Sequence, residues 1–285
     1  MLVLVAGVTG NLGQKLIASL TNRGHHVRGL GRNPEKLGEK LDTLERFETL
    51  SGYDDIPALN RACAGVDAII CAYGMDPRLQ LDGQLLLLRA AERAGHEAYD
   101  AYVAFRHHAE MSSPIKPIYV YIGIFAETLF SVYGHGHVGP DMPLVWNPST
   151  KTVNVWGSGH TTWFWTTERD AAEFTAEIVQ RDDASQGGFW NVCSGAHSLR
   201  QIAETYQHVR GTDVKVNVQG TIDELENKAL AARKNGDKRN FHLYTGLFYQ
   251  LYASDGTLLF RKLDNDKLRV TGTSLTRFLE ENPHI

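Results

Sequence analysis

Apolar positions along the chain fall in short blocks separated by longer amphipathic stretches. The first block, Leu2 to Ala6, is an unbroken Leu/Val run, as expected for a parallel strand covered on both faces. Residues 11–22 then place Leu12, Leu16, Ile17 and Leu20 on one side, the pattern of a helix lying on a sheet. Gly24 stops it, and residues 26–30 read as a second strand. A helix over 34–44, a strand over 47–50, a helix over 56–63 and a buried strand over 67–72 (Asp-Ala-Ile-Ile-Cys-Ala) follow, then a long helix over 79–93.

Further on the pattern predicts a helix over 102–111, a break at Pro114 and Pro117, a strand over 118–122, and a helix or extended turn over 125–133. Residues 134–159, rich in Gly, Pro and His, read as loops with short strands. Helices are expected over 167–181, with Thr167 as N-cap and Asp170 three residues on, over 198–209 with a Ser cap, and over 222–235 and 274–282. A strand is expected over 188–192. Strand–helix alternation of this kind predicts the α/β class, a Rossmann-type doubly wound parallel sheet. No internal repeat interrupts it.

Composition narrows the function classes. Of the 285 residues 42% are hydrophobic and 22% charged, with a net charge of -4, an ordinary soluble balance. No basic excess favours nucleic acid or an anionic membrane. Cys63, Cys71 and Cys193 are too few and too scattered for a disulfide framework, and twelve histidines form no tight metal-ligand spacing. The opening apolar run is too short to span a bilayer and lacks a basic flank, so a cytoplasmic protein is expected.

The candidate chemistry begins where the first strand ends. Gly7-Val8-Thr9-Gly10-Asn11-Leu12-Gly13 lies between a buried strand and an amphipathic helix, the context in which a glycine triplet cradles phosphate. One glycine permits the turn, one lets the backbone approach a pyrophosphate, and one lets helix and strand pack closely. The helix N-terminus adds free N–H groups and a partial positive charge. Gly7, Thr9, Gly10, Asn11, Leu12 and Gly13 are thus expected to bind a dinucleotide.

The second strand ends in Arg28-Gly29-Leu30-Gly31-Arg32-Asn33. No carboxylate stands there to hold a ribose 2'-hydroxyl, as NAD-preferring sites require. Arg32 suits a 2'-phosphate instead, so NADP(H) is the expected cofactor. Lys36 is either further positive charge or a surface residue. Ala72, Tyr73 and Gly74 follow the strand over 67–72 at the end where such sheets bind ligands, and serve either the cofactor or a plain turn.

The GxxGxxG spacing resembles the extended and atypical short-chain dehydrogenase/reductases. The wider pattern, continuing through Val27-Arg28-Gly29-Leu30-Gly31-Arg32-Asn33-Pro34-Glu35-Lys36, Ala64-Gly65-Val66-Asp67-Ala68, Ile122-Gly123-Ile124-Phe125-Ala126-Glu127 and Thr166-Thr167-Glu168-Arg169-Asp170-Ala171-Ala172, resembles the NmrA-like group with its isoflavone-reductase-like enzymes. The resemblance covers residues 1 to about 210. It implies a 2'-phosphate role for Arg32 with Asn33 beside it, and a place near the adenine for Asp54 or Asp55. It also puts Arg106 where the family commonly has Lys. Tyr102 and Arg106 share a helix face by their i,i+4 spacing. Arginine is a poor proton donor, but it can hold the nicotinamide ribose, as a further cofactor contact, or stabilise an oxyanion. Proton delivery then falls to Tyr102, His107, His108 or water.

On this basis residues 1–150 are expected to form the NADP(H)-binding domain, rejoined by a strand and helix from about 165–195, with 151–285 mainly a smaller C-terminal substrate lobe. Four of the five tryptophans (Trp146, Trp156, Trp163, Trp165) lie close together in sequence. A second cluster holds Phe241, Tyr244, Phe248, Tyr249 and Tyr252. Phe125, His135, Trp156, Trp163, Trp165 and Phe248 are the candidate contacts to an aromatic small-molecule substrate; the same rings serve equally as core packing or a homodimer contact. The leading expectation is an NADP(H)-dependent oxidoreductase of specialised metabolism. A cofactor-retaining cyclase or isomerase, and a non-catalytic dinucleotide-sensing regulator, are the alternatives.

Overall fold

The computed structural model describes residues 1–74, 76, 78–95, 98–100, 112–135, 144–236 and 242–285. The chain divides into two compact units. The first comprises Met1–Tyr121, Glu168–Val192 and Asp264–Val270; the second Ile122–Thr167, Cys193–Leu263 and Thr271–Ile285. The expected division near residue 150 therefore falls inside the second unit, because Ile124–Phe125 pairs with Thr162–Thr166 there.

The first unit is built on a seven-stranded sheet. Its order is Gly188–Asn191, Lys116–Tyr121, Ala98–Asp100, Ala68–Cys71, Leu2–Ala6 (β1), His26–Gly31 (β2), Arg46–Thr49. Every pairing is parallel. Alternation along the strands gives the unit two cores. Leu4, Ala6, Leu30, Ile69 and Cys71 enter one, while Val3, Val5, Val27, Ala68 and Ile70 enter the other. Both sets are buried, which is why the strands read as continuous apolar runs.

The helix Asn11–Thr21 (α1) packs beside Glu168–Val179. Lys15 Nζ meets Glu168 Oε2 at 2.7 Å, Ser19 Oγ donates to Glu173 Oε1 at 2.6 Å, and Arg23 Nη1 reaches Glu173 Oε2 at 2.6 Å.

Several expected elements change form. Residues Pro34–Thr43 make a 3-10 helix broken at Gly38, whose φ of 52° no α-helix tolerates. The long helix opens as a π turn over Leu79–Gly83 before the α-helix Gln84–Arg93. Residues 125–133 resolve into the short strand Ile124–Phe125 and the helix Ala126–Leu129. The expected helix over 102–111 lies outside the described residues.

The second unit holds two three-stranded sheets. One joins Gly195–Ser198, Thr162–Thr166 and Ile124–Phe125; the other joins Lys215–Gly220, Thr152–Trp156 and Trp146–Asn147. Ser198 and Thr221 each form a reciprocal capping box, starting the helices Leu199–Arg210 and Ile222–Asn235. The unit's main core gathers Trp146, Trp163, Trp165, Phe130, Tyr206 and Phe278. Among the described residues no helix is long and apolar enough to cross a membrane.

Candidate dinucleotide-binding site

The strand order reverses between β1 and Ala68–Cys71, and in such sheets ligands bind beyond the carboxyl ends of the strands at that reversal. The glycine turn leaves β1 at this place. Gly7 N–H donates to the Leu30 carbonyl at 2.9 Å, and Gly10 N–H closes the turn on the Gly7 carbonyl at 3.0 Å.

Two of the three glycines are required sterically. Gly7 has φ +85°, and a Cβ on it would lie 2.5 Å from the Ala72 carbonyl oxygen. On Gly13 a Cβ would meet the Gly7 carbonyl oxygen and come within 2.7 Å of Val8 Cα, so only glycine lets α1 sit this close to β1. Gly10 differs: its nearest neighbour would be 3.3 Å away, and the residue is exposed. Its missing side chain leaves bare backbone on the outside of the turn, where a phosphate would approach.

The start of α1 is equipped for an anion. Gly10 is the N-cap, no side chain caps it, and no acid lies in the first turn. The first intrahelical bond runs from Gln14 N–H to the Gly10 carbonyl at 2.9 Å. The N–H groups of Leu12 and Gly13 therefore precede the helical ladder and point to whatever lies before it. Thr9 is half-buried, its carbonyl accepting from Gln14 Nε2 at 3.2 Å. These features fit a dinucleotide pyrophosphate.

Within β2 and just beyond it, two arginines have opposite fates. Arg28 is 5% exposed and fully engaged: Nε lies 2.9 Å from Glu45 Oε2, and Nη1 donates to the Ala62 and Ala64 carbonyls at 3.0 and 2.6 Å. Arg32 is exposed and makes no hydrogen bond or ion pair among the described residues. Asn33 beside it is also exposed, and its side chain does not cap the following 3-10 helix. Both fit an incoming 2'-phosphate.

Other expected contacts are placed differently. Tyr73 is 6% exposed, and its ring belongs to the core with Ile69, Leu79 and Leu87. Burial pushes its phenol pKa well up, so the ring is structural and only its backbone remains for a ligand. Ala72 is half-buried at the strand exit, and Gly74 is exposed with open space around it. Asp55 caps the helix Ile56–Cys63, accepting from Ser51 N–H at 3.1 Å, Ser51 Oγ at 2.8 Å and Ala58 N–H at 3.2 Å. Those donors, the Ser51 N–H first, hold its carboxyl below the usual range, and a cap rather than an adenine contact accounts for it. Tyr102, Arg106 and His107 lie outside the described residues.

One cluster carried no signal in the sequence. Asp76 Oδ1 accepts from Arg78 Nε at 3.2 Å and Oδ2 from Arg78 Nη2 at 2.9 Å. The guanidinium carbon of Arg78 also stands 5.9 Å from the centroid of the Tyr53 ring. Arg78 foremost, with Arg32 contributing through its field, keeps the Asp76 carboxyl below its ordinary value.

In the second unit the aromatic candidates separate by burial. Trp163 and Trp165 are 3% and 0% exposed. Trp165 Nε1 donates to His197 Nδ1 at 3.0 Å, and its ring lies 6.3 Å from Phe278. Trp156 packs with Leu225 and Leu251 beneath the Lys228 ammonium, 5.4 Å from the ring. These three tryptophans, expected as substrate contacts, pack in the core clusters. Phe125, His135 and Phe248 keep part of their surface exposed.

This is the architecture of a nucleotide-binding Rossmann domain, and residues 7–108 match the family model described as NAD(P)H-binding. A bifunctional pinoresinol-lariciresinol reductase of Linum usitatissimum is 24% identical, the match covering 96% of this chain and 93% of that protein. The crystal structure of an isoflavone reductase superposes with a TM-score of 0.74 at 16% identity over 98% of each chain. Citrobacter sp. triphenylmethane reductase complexed with NADP(H) superposes at 0.73 with 19% identity over 99% of each. Over nearly its whole length the chain is thus similar to reductases of the pinoresinol-lariciresinol and isoflavone type, with the NAD(P)H-binding match confined to its first unit.

Proposed function

We propose that this protein is an NADP(H)-dependent oxidoreductase acting on an aromatic or polycyclic small molecule of specialised metabolism. The observation that carries the cofactor choice is the exposed Arg32, unpaired among the described residues, at an acid-free strand end beside the uncapped start of α1. The Gly7–Gly13 backbone would hold the pyrophosphate, Arg32 and Asn33 the 2'-phosphate, and the Ala72 and Gly74 backbones the dinucleotide beyond it. When bound, the nicotinamide supplies or accepts a hydride. Arg106 serves to hold the adjoining ribose or polarise the acceptor group, and Tyr102 or His107 to deliver a proton. The aromatic substrate class is supported by the names of the relatives and by the part-exposed Phe125, His135 and Phe248.

The test has two arms. NADPH consumption is followed with pinoresinol, an isoflavone and a triphenylmethane dye; turnover of at least one is expected, and none by a protein that binds NADPH would overturn the substrate reading. Equilibrium binding is then measured for Arg32→Ala. Loss of a charge-assisted contact should weaken NADPH about 10- to 100-fold and NADH by less than about 2-fold, with no contact to a 2'-phosphate to lose. Equal loss for both cofactors would overturn the assignment of Arg32.

A further inference from the structure

We propose that Arg78 determines the preference for NADPH over NADH by covering the carboxylate of Asp76, which leaves Arg32 available for the 2'-phosphate. The inference rests on the reading of Arg32 given above and adds a residue outside the glycine turn and β2.

Asp76 lies on the chain leaving the strand Ala68–Cys71, two residues beyond Gly74. Its side chain is one-third exposed, and its partner Arg78 reaches the Tyr53 ring, four residues beyond the strand Arg46–Thr49 that pairs with the end of β2, which brings the pair to the side of the sheet where Arg32 stands. An acidic group near the ribose 2'-position is the device by which such folds exclude a phosphate. Here the carboxylate comes from the loop after the strand Ala68–Cys71 rather than from the end of β2, and left uncovered it would oppose the 2'-phosphate.

Arg78 is built to do this. It engages both carboxylate oxygens, at 3.2 and 2.9 Å, and its own backbone N–H donates to Asp76 Oδ1 at 2.9 Å. Tyr53 offers the guanidinium an aromatic face at 5.9 Å. An exposed ion pair of this kind contributes little to stability, so its effect is on the field over Arg32. With Arg78 in place the two arginines and one aspartate sum to a single positive charge. Without it the sum is zero, and the freed carboxylate competes with phosphate for Arg32.

Fluorescence titration of NADPH and NADH against wild type, Arg78→Ala, the double variant Asp76→Asn/Arg78→Ala, and Arg32→Ala tests this. Arg78→Ala should raise the Kd for NADPH about 5- to 10-fold and leave that for NADH within about 2-fold. Adding Asp76→Asn should return the NADPH Kd to within about 2-fold of wild type, because the repelling charge is gone. Unchanged NADPH affinity in Arg78→Ala overturns the proposal. Loss that Asp76→Asn fails to rescue also overturns it, since Arg78 would then contact the phosphate itself or hold the loop. If Arg32→Ala leaves the NADPH/NADH ratio unaltered, the underlying reading of Arg32 fails; if Arg32→Ala abolishes the ratio while Arg78→Ala matches wild type, only the Arg78 inference fails.

Discussion

The glycine turn and the tryptophan cluster both stand out in the sequence as candidate sites, and they end in opposite places. At Gly7–Gly13 the side chains leave backbone uncovered: an exposed Gly10 and a helix start with no cap. Around Trp165 the side chains cover one another until no ring surface remains. Density of large aromatic residues marks burial more often than a cavity, because each ring removes much apolar surface from water. A row of small residues between a strand and a helix marks a place where backbone is kept available.

The sharpest way to test that contrast is to remove the central ring. Trp165→Ala should cost about 4 kcal/mol and lower Tm by about 10 °C, with NADPH affinity within about 2-fold of wild type. A large loss of affinity without loss of stability would return Trp165 to the binding machinery. Gly7→Ala should do the reverse. The new methyl group collides with the Ala72 carbonyl and strains a φ of +85°, costing about 2 kcal/mol of stability. NADPH binding should fall about 30-fold or more by displacement of the turn, as read by the same titration.

The smallest effect is on pH dependence. Burial lowers the pKa of His197, whose Nδ1 accepts from Trp165 Nε1–H, a bond the imidazolium cannot accept. The folded state therefore favours neutral His197 while the unfolded chain protonates near pH 6.5. That contribution is complete above the unfolded pKa and declines as pH falls from there toward the lower folded value. Urea midpoints should drop modestly between pH 7 and 5.5, and less in His197→Gln. A decline of the same size in both proteins would remove His197 as its source.

Much of the first unit was legible in sequence because its elements obey local rules. β1 is a single apolar run, α1 has one apolar face, and Gly7 and Gly13 have a steric reason to be there. Arg28 and Arg32 could not be told apart by pattern alone, since which one is enclosed depends on Glu45 and the carbonyls of Ala62 and Ala64 arriving from elsewhere. The strand Thr162–Thr166 was hidden within the supposed aromatic lobe. Gly195–Ser198 is a strand of small and polar residues with no alternation to announce it, and Gly195 is there because a Cβ would strike the Trp165 indole at 2.5 Å. The pairing of Asp76 with Arg78 spans only two residues in a loop, where no periodicity predicts contact. The unit boundary depends on strand pairings between distant segments, which no local window contains.

The first unit is also assembled from three stretches of chain, and this orders events during synthesis. The turn proposed to receive the dinucleotide is made long before the sheet's last strand, Gly188–Asn191. Later still come residues 264–270: Asp264 N–H donates to the Asn191 carbonyl at 2.7 Å, and Arg269 N–H donates to Glu177 Oε1 at 2.7 Å. At about 5–20 residues per second, the 70 residues from Tyr121 to Asn191 (191 − 121) take several seconds to make, and over that time the edge of Lys116–Tyr121 stays open. Long-range closure of this sort is slow and leaves strand edges open to wrong partners. Early-formed phosphate turn and late-closing edge together make NADPH a ligand that can favour the nascent sheet before its final strand is in place, and growth conditions rich in the reduced cofactor should raise the yield of folded protein.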